Sequence, residues 1–235
     1  MKIGITLPTF EPTSRAALAA ARAAEAAGID GVFAFDHLWP IGQPSRPALA
    51  AYPILGAIAA VTRRVRVGTL VARVGLLPDR LVTESLVSLQ EVSATRLIAA
   101  LGIGDGKSVA ENEAYGIQWP PLEDRRSSLL AILGELMAHG IECWVGATAP
   151  ATLEMARAAG ATVNLWDVDL ARLEEEAGRG PATWAGPLPS EAGAAAERLA
   201  GLRDAGATWA IWGWPRRLQL VTEAVSLSGI RDGAE

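Results

Sequence analysis

The chain has 235 residues, of which half are hydrophobic, and its formal net charge is −5. This length suits one sizeable core or two small domains, and the apolar half is enough to fill it. The sequence contains no run of Lys and Arg longer than a pair, so it lacks the positive patch that nucleic acids or anionic membranes require. We therefore expect a small molecule and a second copy of the chain as partners.

The cysteine content and the amino terminus limit the class of protein further. Cys143 is the single cysteine, which excludes an intrachain disulfide and a zinc site built on thiolates. Pro8 interrupts the first apolar stretch, and no other stretch approaches the ~20 apolar residues of a membrane span. The sequence predicts a soluble, cytoplasmic protein without a bound metal.

Strands and helices alternate in the predicted secondary structure. Predicted strands cover residues 2–7, 31–35, 65–71, 96–101, 141–145, 162–165, 182–185 and 208–212. Predicted helices cover residues 14–27, 53–62, 79–92, 124–139, 149–159, 169–177, 190–206 and 216–227. Ser14, Asp79, Asp169 and Ser190 are the expected N-caps, because their side chains can accept hydrogen bonds from free backbone amides. A long loop, 102–123, separates the fourth strand from the next helix, and loops of this length are often functional.

A repeated phrase indicates how these elements assemble. EAAGIDGVFAF, MAHGIECWVG, RAAGATVNLW and RDAGATWAIWG each join a helix end, a glycine stop and a buried strand. Eight such units of about 29 residues each match the (β/α)8 TIM barrel. We predict a compact α/β barrel as one domain over residues 1–227, with a tail at 228–235. An open doubly wound sheet is the alternative, although no GxGxxG turn follows the first strand.

The most informative stretch is GVFAFDHLW, residues 31–39, in which an apolar strand ends on Asp36, His37 and Trp39. In a TIM barrel the residues that follow the strands share one rim, where ligands bind. Taken by itself, the Asp-His pair has a second interpretation. The Asp could cap a turn, and the His could pack against a neighbouring element. The rim candidates are Asp36, His37 and Trp39; Leu70, Val71 and Arg73; Gly102, Gly104 and Asp105; Gly146, Ala147 and Thr148; Trp166 and Asp167; Trp212 and Trp214.

Two of these turns are candidates for binding a cofactor. Gly146, Ala147 and Thr148 precede a predicted helix, so free amides and the positive end of the helix dipole can hold a phosphate. An ordinary helix start with small residues is an equal alternative. Gly102 and Gly104 let the backbone approach a flat ligand closely, although a GxG pattern is weak evidence by itself.

The ordered phrases DGVFAFDHLW, VRVGTLV, LIAALGIGD, ENEAYGI, WVGATAPATLEMARAAGATVNLW and AERLAGLRDAGATWAIW resemble the bacterial luciferase-like superfamily. The resemblance runs from Met1 to about Leu227 and is greatest to the branch that uses the deazaflavin coenzyme F-420, with users of flavin mononucleotide (FMN) close behind. It implies an α/β barrel that binds the ring of F-420 or FMN at the carboxyl rim for hydride transfer or oxygen activation.

The resemblance also implies roles for individual residues. His37 and Asp105 would be catalytic, and a bulge at Leu70-Val71, often a non-proline cis peptide, would support the ring. The resemblance also implies cofactor contacts at Trp39, Gly146, Ala147 and Thr148, while Asp36, Gly102, Gly104 and Trp166 are predicted contacts from their position on the rim. The chain is shorter than most members, and Ile103 stands where the luciferases proper have an Arg for the flavin phosphate.

The leading functional hypothesis is a flavin- or deazaflavin-dependent oxidoreductase of a small organic substrate, with His37 handling the proton. The alternatives are a shortened member that binds such a cofactor without turnover, and a barrel whose site has decayed and that is retained for assembly. We also predict a homodimer, from the resemblance and from Leu76, Leu77 and Trp119 as exposed apolar candidates on the rim loops.

Overall fold

A computed structural model describes residues 1–214 and 218–230. Its strands are β1 (Lys2–Thr6), β2 (Gly31–Ala34), β3 (Arg66–Thr69), β4 (Ala72–Arg73), β5 (Leu97–Gly102), β6 (Glu142–Gly146), β7 (Thr162–Trp166), β8 (Ala182–Gly186) and β9 (Trp209–Trp212). All pairings are parallel, and the sheet closes because β1 pairs with both β2 and β9 while β5 pairs with both β3 and β4. β3 and β4 share one position, so the predicted eight-stranded barrel is confirmed and the open sheet is excluded.

The helices surround this barrel. They are α1 (Arg15–Ala26), α2 (Ala51–Val61), α3 (Asp79–Val92), α4 (Val109–Ala114), α5 (Leu122–Ala138), α6 (Pro150–Ala158), α7 (Leu170–Gly178), α8 (Ala192–Asp204) and α9 (Leu218–Leu227). The glycines of the repeated phrase end four of them in the left-handed conformation, with φ of 73° at Gly28, 71° at Gly140, 83° at Gly160 and 88° at Gly206. The repeat therefore marks the turns that return the chain to the sheet.

The interior of the barrel is filled by aromatic side chains. The ring centroids of Phe33 and Trp144 lie 5.5 Å apart, and those of Trp144 and Trp209 also lie 5.5 Å apart. Glycines make room for these rings, since a Cβ added to Gly4 would come within 2.8 Å of Phe33 and one on Gly31 within 2.8 Å of Trp209. The interior is thus a packed core, and any ligand has to bind at a rim.

Two predicted elements differ from the structure near the rim. The strand predicted over residues 65–71 is interrupted by a cis peptide bond between Leu70 and Val71, and it resumes as the two-residue β4. This is the non-proline cis peptide that the resemblance implies. The predicted loop 102–123 contains a 3-10 turn over Gly106–Ser108 and the helix α4, while α5 begins at Leu122 instead of residue 124.

Two of the four predicted N-caps are wrong, and a third is only partly right. Ser14 occupies the N-cap position of α1 as predicted, but its side chain accepts no capping hydrogen bond, and Asp79 is already the first residue of α3. Glu191, not Ser190, precedes α8. Asp169 caps α7 as predicted, because its carboxylate accepts a hydrogen bond from the Arg172 amide at 2.8 Å.

The structure weakens one of the arguments for a dimer. Leu76 is buried, with 6% of its surface exposed, while Leu77 and Trp119 are half-buried. The predicted dimer therefore loses one of its three apolar candidates and stays a prediction. The predicted start of the last helix at Arg216 lies outside the described residues, as do positions 231–235 of the predicted tail.

Candidate active site

A buried glutamate holds His37 at the rim. His37 follows β2, and its Nδ1 lies 2.9 Å from Oε1 of Glu111 on α4. The glutamate side chain is 1% exposed and the imidazole 23% exposed. Because a carboxylate only accepts hydrogen bonds, Nδ1 carries a hydrogen and Nε2 is the nitrogen available to exchange a proton with a ligand.

Arg73 connects this pair to a second carboxylate. Its Nη2 lies 3.0 Å from Oε2 of Glu111, and its backbone amide donates to Oδ2 of Asp36 at 3.0 Å. The Arg73 side chain is only 3% exposed, and Nη1 also donates to the carbonyl of Ser108 at 3.3 Å. Two carboxylates, one guanidinium and one imidazole therefore form a single buried network under the rim.

Burial has opposite effects on the charged groups of this network. It raises the pKa of Asp36, an effect partly opposed by the hydrogen bond and positive charge of Arg73. It lowers the pKa of the Arg73 guanidinium, against the attraction of Glu111 and Asp36. Burial also raises the pKa of Tyr52 on α2, and the negative charge of Asp36 adds to that shift. The pKa of Asp36 is thus set by burial on one side and by the hydrogen bond and charge of Arg73 on the other.

Hydrogen bonds from Asn112 hold α4, the helix that carries Glu111. The Asn112 side-chain amide donates to the carbonyls of Gly75 at 3.2 Å and Gln118 at 3.0 Å. The Leu38 amide donates to Oε2 of Glu111 at 3.3 Å, so the same carboxylate also holds the chain that follows His37. Sequence analysis missed Glu111 as the partner of His37, because 74 positions separate the two and α4 was predicted to be loop.

Three predicted cofactor contacts meet beside this network. A Cβ built on Gly102 would lie 2.5 Å from Cγ2 of Val71, and one built on Gly146 would lie 2.7 Å from Cγ1 of the same residue. Real Cβ atoms do not approach this closely, so both glycines are required for Val71 to sit between the ends of β5 and β6. Leu70 is buried, with 4% of its surface exposed, and Val71 is half-buried. Val71 therefore forms a small apolar platform at the rim.

Arg125 holds the loop that follows β5. Arg125 on α5 donates to the carbonyls of Ile103 and Gly104, and its guanidinium lies 4.1 Å from the ring centroid of Trp119. The Asp105 side chain is exposed and accepts a hydrogen bond from the Lys107 amide at 2.9 Å. In the structure Glu111, and not Asp105, contacts His37.

The remaining predicted contacts lie around the rim at different depths. Trp39 is buried, and its ring centroid lies 5.8 Å from that of Tyr115. Trp166 is 47% exposed at the end of β7. Gly146 ends β6, while Ala147 and Thr148 form the turn before α6.

The helix after this turn begins one residue later than predicted, at residue 150 instead of 149. The first helical residue is Pro150, and Ala149 occupies the N-cap position. Proline has no amide hydrogen, so the first amide of this helix that could face a phosphate belongs to Ala151.

A cavity of about 550 Å³ occupies the other half of the rim, next to Trp166. Its wall is built by residues that follow β1, β2, β7, β8 and β9, and it includes the aromatic rings of Phe10, Phe35, Trp166 and Trp214. Cavities of this size hold small ligands and cofactors.

These features fit a flat tricyclic cofactor. Val71 offers an apolar surface that two glycines keep accessible, the His37 ring is partly exposed, and an aromatic cavity lies elsewhere on the same rim. Within residues 1–214 and 218–230, no group of three or more His, Cys, Asp or Glu is placed to hold a metal ion. In the same ranges no helix has the length and apolar character that crossing a membrane demands.

The luciferase-like monooxygenase family matches residues 1–137, which is more than half of the chain. The chain therefore belongs to the luciferase-like monooxygenase family. Among curated proteins, it is 36% identical over 127 residues to an F-420-dependent glucose-6-phosphate dehydrogenase of Beutenbergia cavernae. That match covers 53% of this chain and 37% of the relative, so the chain matches little more than a third of the relative's length.

Solved structures share the fold along the whole chain. An F-420-dependent secondary alcohol dehydrogenase in complex with an F-420-acetone adduct superposes with a TM-score of 0.81 at 13% identity, covering 97% of this chain and 98% of that one. The coenzyme F-420-dependent tetrahydromethanopterin reductase from Methanopyrus kandleri superposes with a TM-score of 0.75 at 13% identity, covering 95% of this chain and 96% of that one. At this identity the likeness establishes the barrel fold alone.

Proposed function

We propose that this chain is an oxidoreductase that uses coenzyme F-420, with FMN as the alternative cofactor, to oxidise or reduce a small organic substrate. The hydrogen bond between His37 and the buried Glu111 carries the proposal. A histidine that merely packs needs no buried carboxylate at one ring nitrogen while its side chain stays 23% exposed. Family membership and the curated relative named as F-420-dependent support the same cofactor.

Within this proposal the cofactor ring rests on Val71, and Gly102 and Gly146 keep that surface free of side chains. Bound F-420 or FMN supplies a two-electron carrier of hydride, which no side chain of the protein can replace. Trp166 borders the ring, and the turn of Gly146, Ala147 and Thr148 lies where a phosphate group would meet the start of α6.

His37 handles the accompanying proton. When the substrate is an alcohol, Nε2 accepts the hydroxyl proton as the carbon loses hydride, and in the reverse direction Nε2 returns it to the carbonyl oxygen. Glu111 keeps the hydrogen of the neutral imidazole on Nδ1 and stabilises the imidazolium by its negative charge. Arg73 holds that carboxylate in place from the opposite side.

Replacing His37 tests the proposal. His37→Ala should lower turnover by about 10²–10⁴-fold, the usual contribution of a general acid-base group. The affinity for F-420, measured by titration, and the melting temperature should change little, because the imidazole is partly exposed. His37→Asn keeps a polar side chain without a titratable proton and should be as slow as the alanine variant.

The outcomes separate the alternatives. Full rate in His37→Asn would show that the residue only orients the substrate. A fall in melting temperature without a change in turnover would show that His37 is a packing residue. Binding of F-420 without any turnover in the unaltered protein, across a panel of alcohols and ketones, would favour the storage protein over the enzyme.

A further inference from the structure

The cavity on the other half of the rim has an aromatic wall. The rings of Phe10 and Phe35 are stacked, with centroids 5.7 Å apart and an angle of 8° between their planes. The Trp166 ring meets Phe35 edge-on at 5.9 Å. Trp166 and Trp214 are 47% and 38% exposed, which is unusual for such large apolar side chains. Exposed rings at the mouth of a cavity offer a planar ligand a stacking surface.

The charged side chains in this wall favour a hydrogen-bond donor over an anion. Glu11 and Asp167 both line the cavity, and carboxylates only accept hydrogen bonds. Arg46 is the one cation among the lining residues that the structure describes, and its guanidinium already donates to the Phe10 carbonyl at 3.0 Å and the Gln43 side chain at 3.2 Å. Among the described lining residues, a phosphate dianion would therefore meet two negative groups and one arginine that already has hydrogen-bond partners.

Hydrogen bonds of the backbone fix the shape of the wall. Asp167 has a φ of 52°, in the left-handed region that Asp tolerates better than most residues, and its amide donates to the Ala185 carbonyl at 2.7 Å. The Trp214 amide donates to Oγ1 of the buried Thr6 at 3.0 Å. Trp166 and Trp214 are thus attached to backbone that is held in place, and the cavity is largely formed before a ligand arrives.

We propose that this cavity is the substrate site and that it selects an uncharged alcohol carried on an apolar ring over a sugar phosphate. The ring would stack on Trp166 and Trp214, and the carboxylates of Glu11 and Asp167 would disfavour an anionic substrate. This inference rests on the proposed oxidoreductase function, and it differs from the substrate named for the curated relative, which is glucose 6-phosphate.

Calorimetry on the cofactor-free full chain tests the selectivity without depending on turnover. We would titrate 1-phenylethanol, glucose and glucose 6-phosphate separately. The expected result is at least roughly tenfold tighter binding of 1-phenylethanol than of glucose 6-phosphate, about the effect of one good stacking contact. Glucose separates the effect of the phosphate charge from that of the hydroxyl groups, and it should bind no more weakly than its phosphate ester. Glucose 6-phosphate binding as tightly as 1-phenylethanol, or more tightly, would overturn the proposal.

Substitutions in the cavity wall test whether 1-phenylethanol binds there. Trp166→Ala and Trp214→Ala should each weaken 1-phenylethanol about three- to tenfold. Leu81→Ala removes an apolar side chain that is 50% exposed on α3, outside the cavity, and should leave the affinity unchanged. Equal affinities in all three variants and the unaltered chain would mean that the alcohol binds elsewhere, which contradicts the proposal.

A last titration separates this inference from the proposed function. Saturating 1-phenylethanol should leave the affinity for F-420 unchanged or increase it, because the two occupy neighbouring sites. Competition between them would assign the aromatic cavity to the cofactor and overturn the substrate site while sparing the oxidoreductase. Absence of F-420 and FMN binding, with 1-phenylethanol bound in the cavity, would instead refute the oxidoreductase.

Discussion

Two buried glutamates in this barrel have the same exposure and different surroundings. Glu111 is 1% exposed and Glu176 is 0% exposed. In the described part of the chain, the ion-pair partners of Glu176 on α7 are three arginines: Arg157 of α6, Arg172 at 2.5 Å and Arg179 at 3.8 Å. Glu111 contacts one arginine and the imidazole of His37. Only the second arrangement includes a partner that can gain or lose a proton near neutral pH.

The difference teaches how to distinguish a structural buried carboxylate from a functional one. The cluster around Glu176 joins neighbouring helices on the outside of the barrel, and its arginines stay charged at every relevant pH. The cluster around Glu111 lies under the rim and supports His37, whose side chain is partly exposed. Burial and ion pairing are therefore common to both, and the nature and accessibility of the partner decide which one serves chemistry.

The largest expected effect is that of Glu111→Gln on turnover. The glutamine amide can donate to Nδ1 of His37, which would favour the tautomer with its hydrogen on Nε2 and block the acceptor needed there. We expect turnover per folded molecule to fall roughly a hundredfold. Steady-state kinetics on samples whose folded fraction is known from circular dichroism would measure it. A loss of turnover below tenfold would remove Glu111 from the proposed mechanism.

Glu176→Gln is the matched control, with the same substitution at the same depth of burial. Removing this charge leaves three arginines without their common partner, although Arg172 and Arg179 are 33% and 41% exposed and can be hydrated. We expect a loss of about 2–3 kcal/mol in the free energy of unfolding, below the range for fully buried pairs. Denaturant titration would measure that loss, and turnover per folded molecule should stay unchanged. Equal losses of turnover in both variants would erase the distinction between the two clusters.

The sequence predicted the barrel better than it predicted the site. The four repeated phrases place a glycine stop and a buried strand at fixed spacing, so the βα units can be read locally. His37 and Val71 could be predicted as rim residues because strand ends converge on one rim of a barrel. The contact of His37 with Glu111 joins residues 74 positions apart, and α4 is a short helix with no clear apolar period, so local patterns carry no signal for it.

A glycine at the rim provides the next prediction. Gly102→Ala would bring a methyl group within 2.5 Å of Val71, and overpacking of this kind costs about 1–3 kcal/mol. Val71→Ala in the same chain removes the clashing methyl groups and should recover most of that loss in thermal denaturation. On the outer helix α5, Gly134 has no atom within 4 Å of an added Cβ, so Gly134→Ala should stabilise the protein by about 0.5–1 kcal/mol. Additive effects of Gly102→Ala and Val71→Ala would contradict the contact between them.

The smallest effect concerns the pH dependence of stability, which should have opposite signs at the two ends of the barrel. Burial raises the pKa of Asp36 above its ordinary value of 3.8. The stability that Asp36 contributes is therefore present below that ordinary value and is lost as the pH rises through the folded-state pKa. Relative to Asp36→Asn, the unaltered protein should become less stable as the pH rises above 3.8, as measured by melting temperature.

Glu25 supplies the opposite case at the other end of the barrel. Burial raises the pKa of its carboxyl, but hydrogen bonds from the amides of Arg64, Val65 and Arg63 outweigh it and hold the pKa below 4.5. Its contribution is present above the ordinary value and is lost as the pH falls through the folded-state pKa. Relative to Glu25→Gln, the unaltered protein should therefore become more stable as the pH rises toward 4.5, and the difference should change little above that value. If both differences changed in the same direction, the buried charge of Asp36 would not be costly, and Arg73 would compensate it fully.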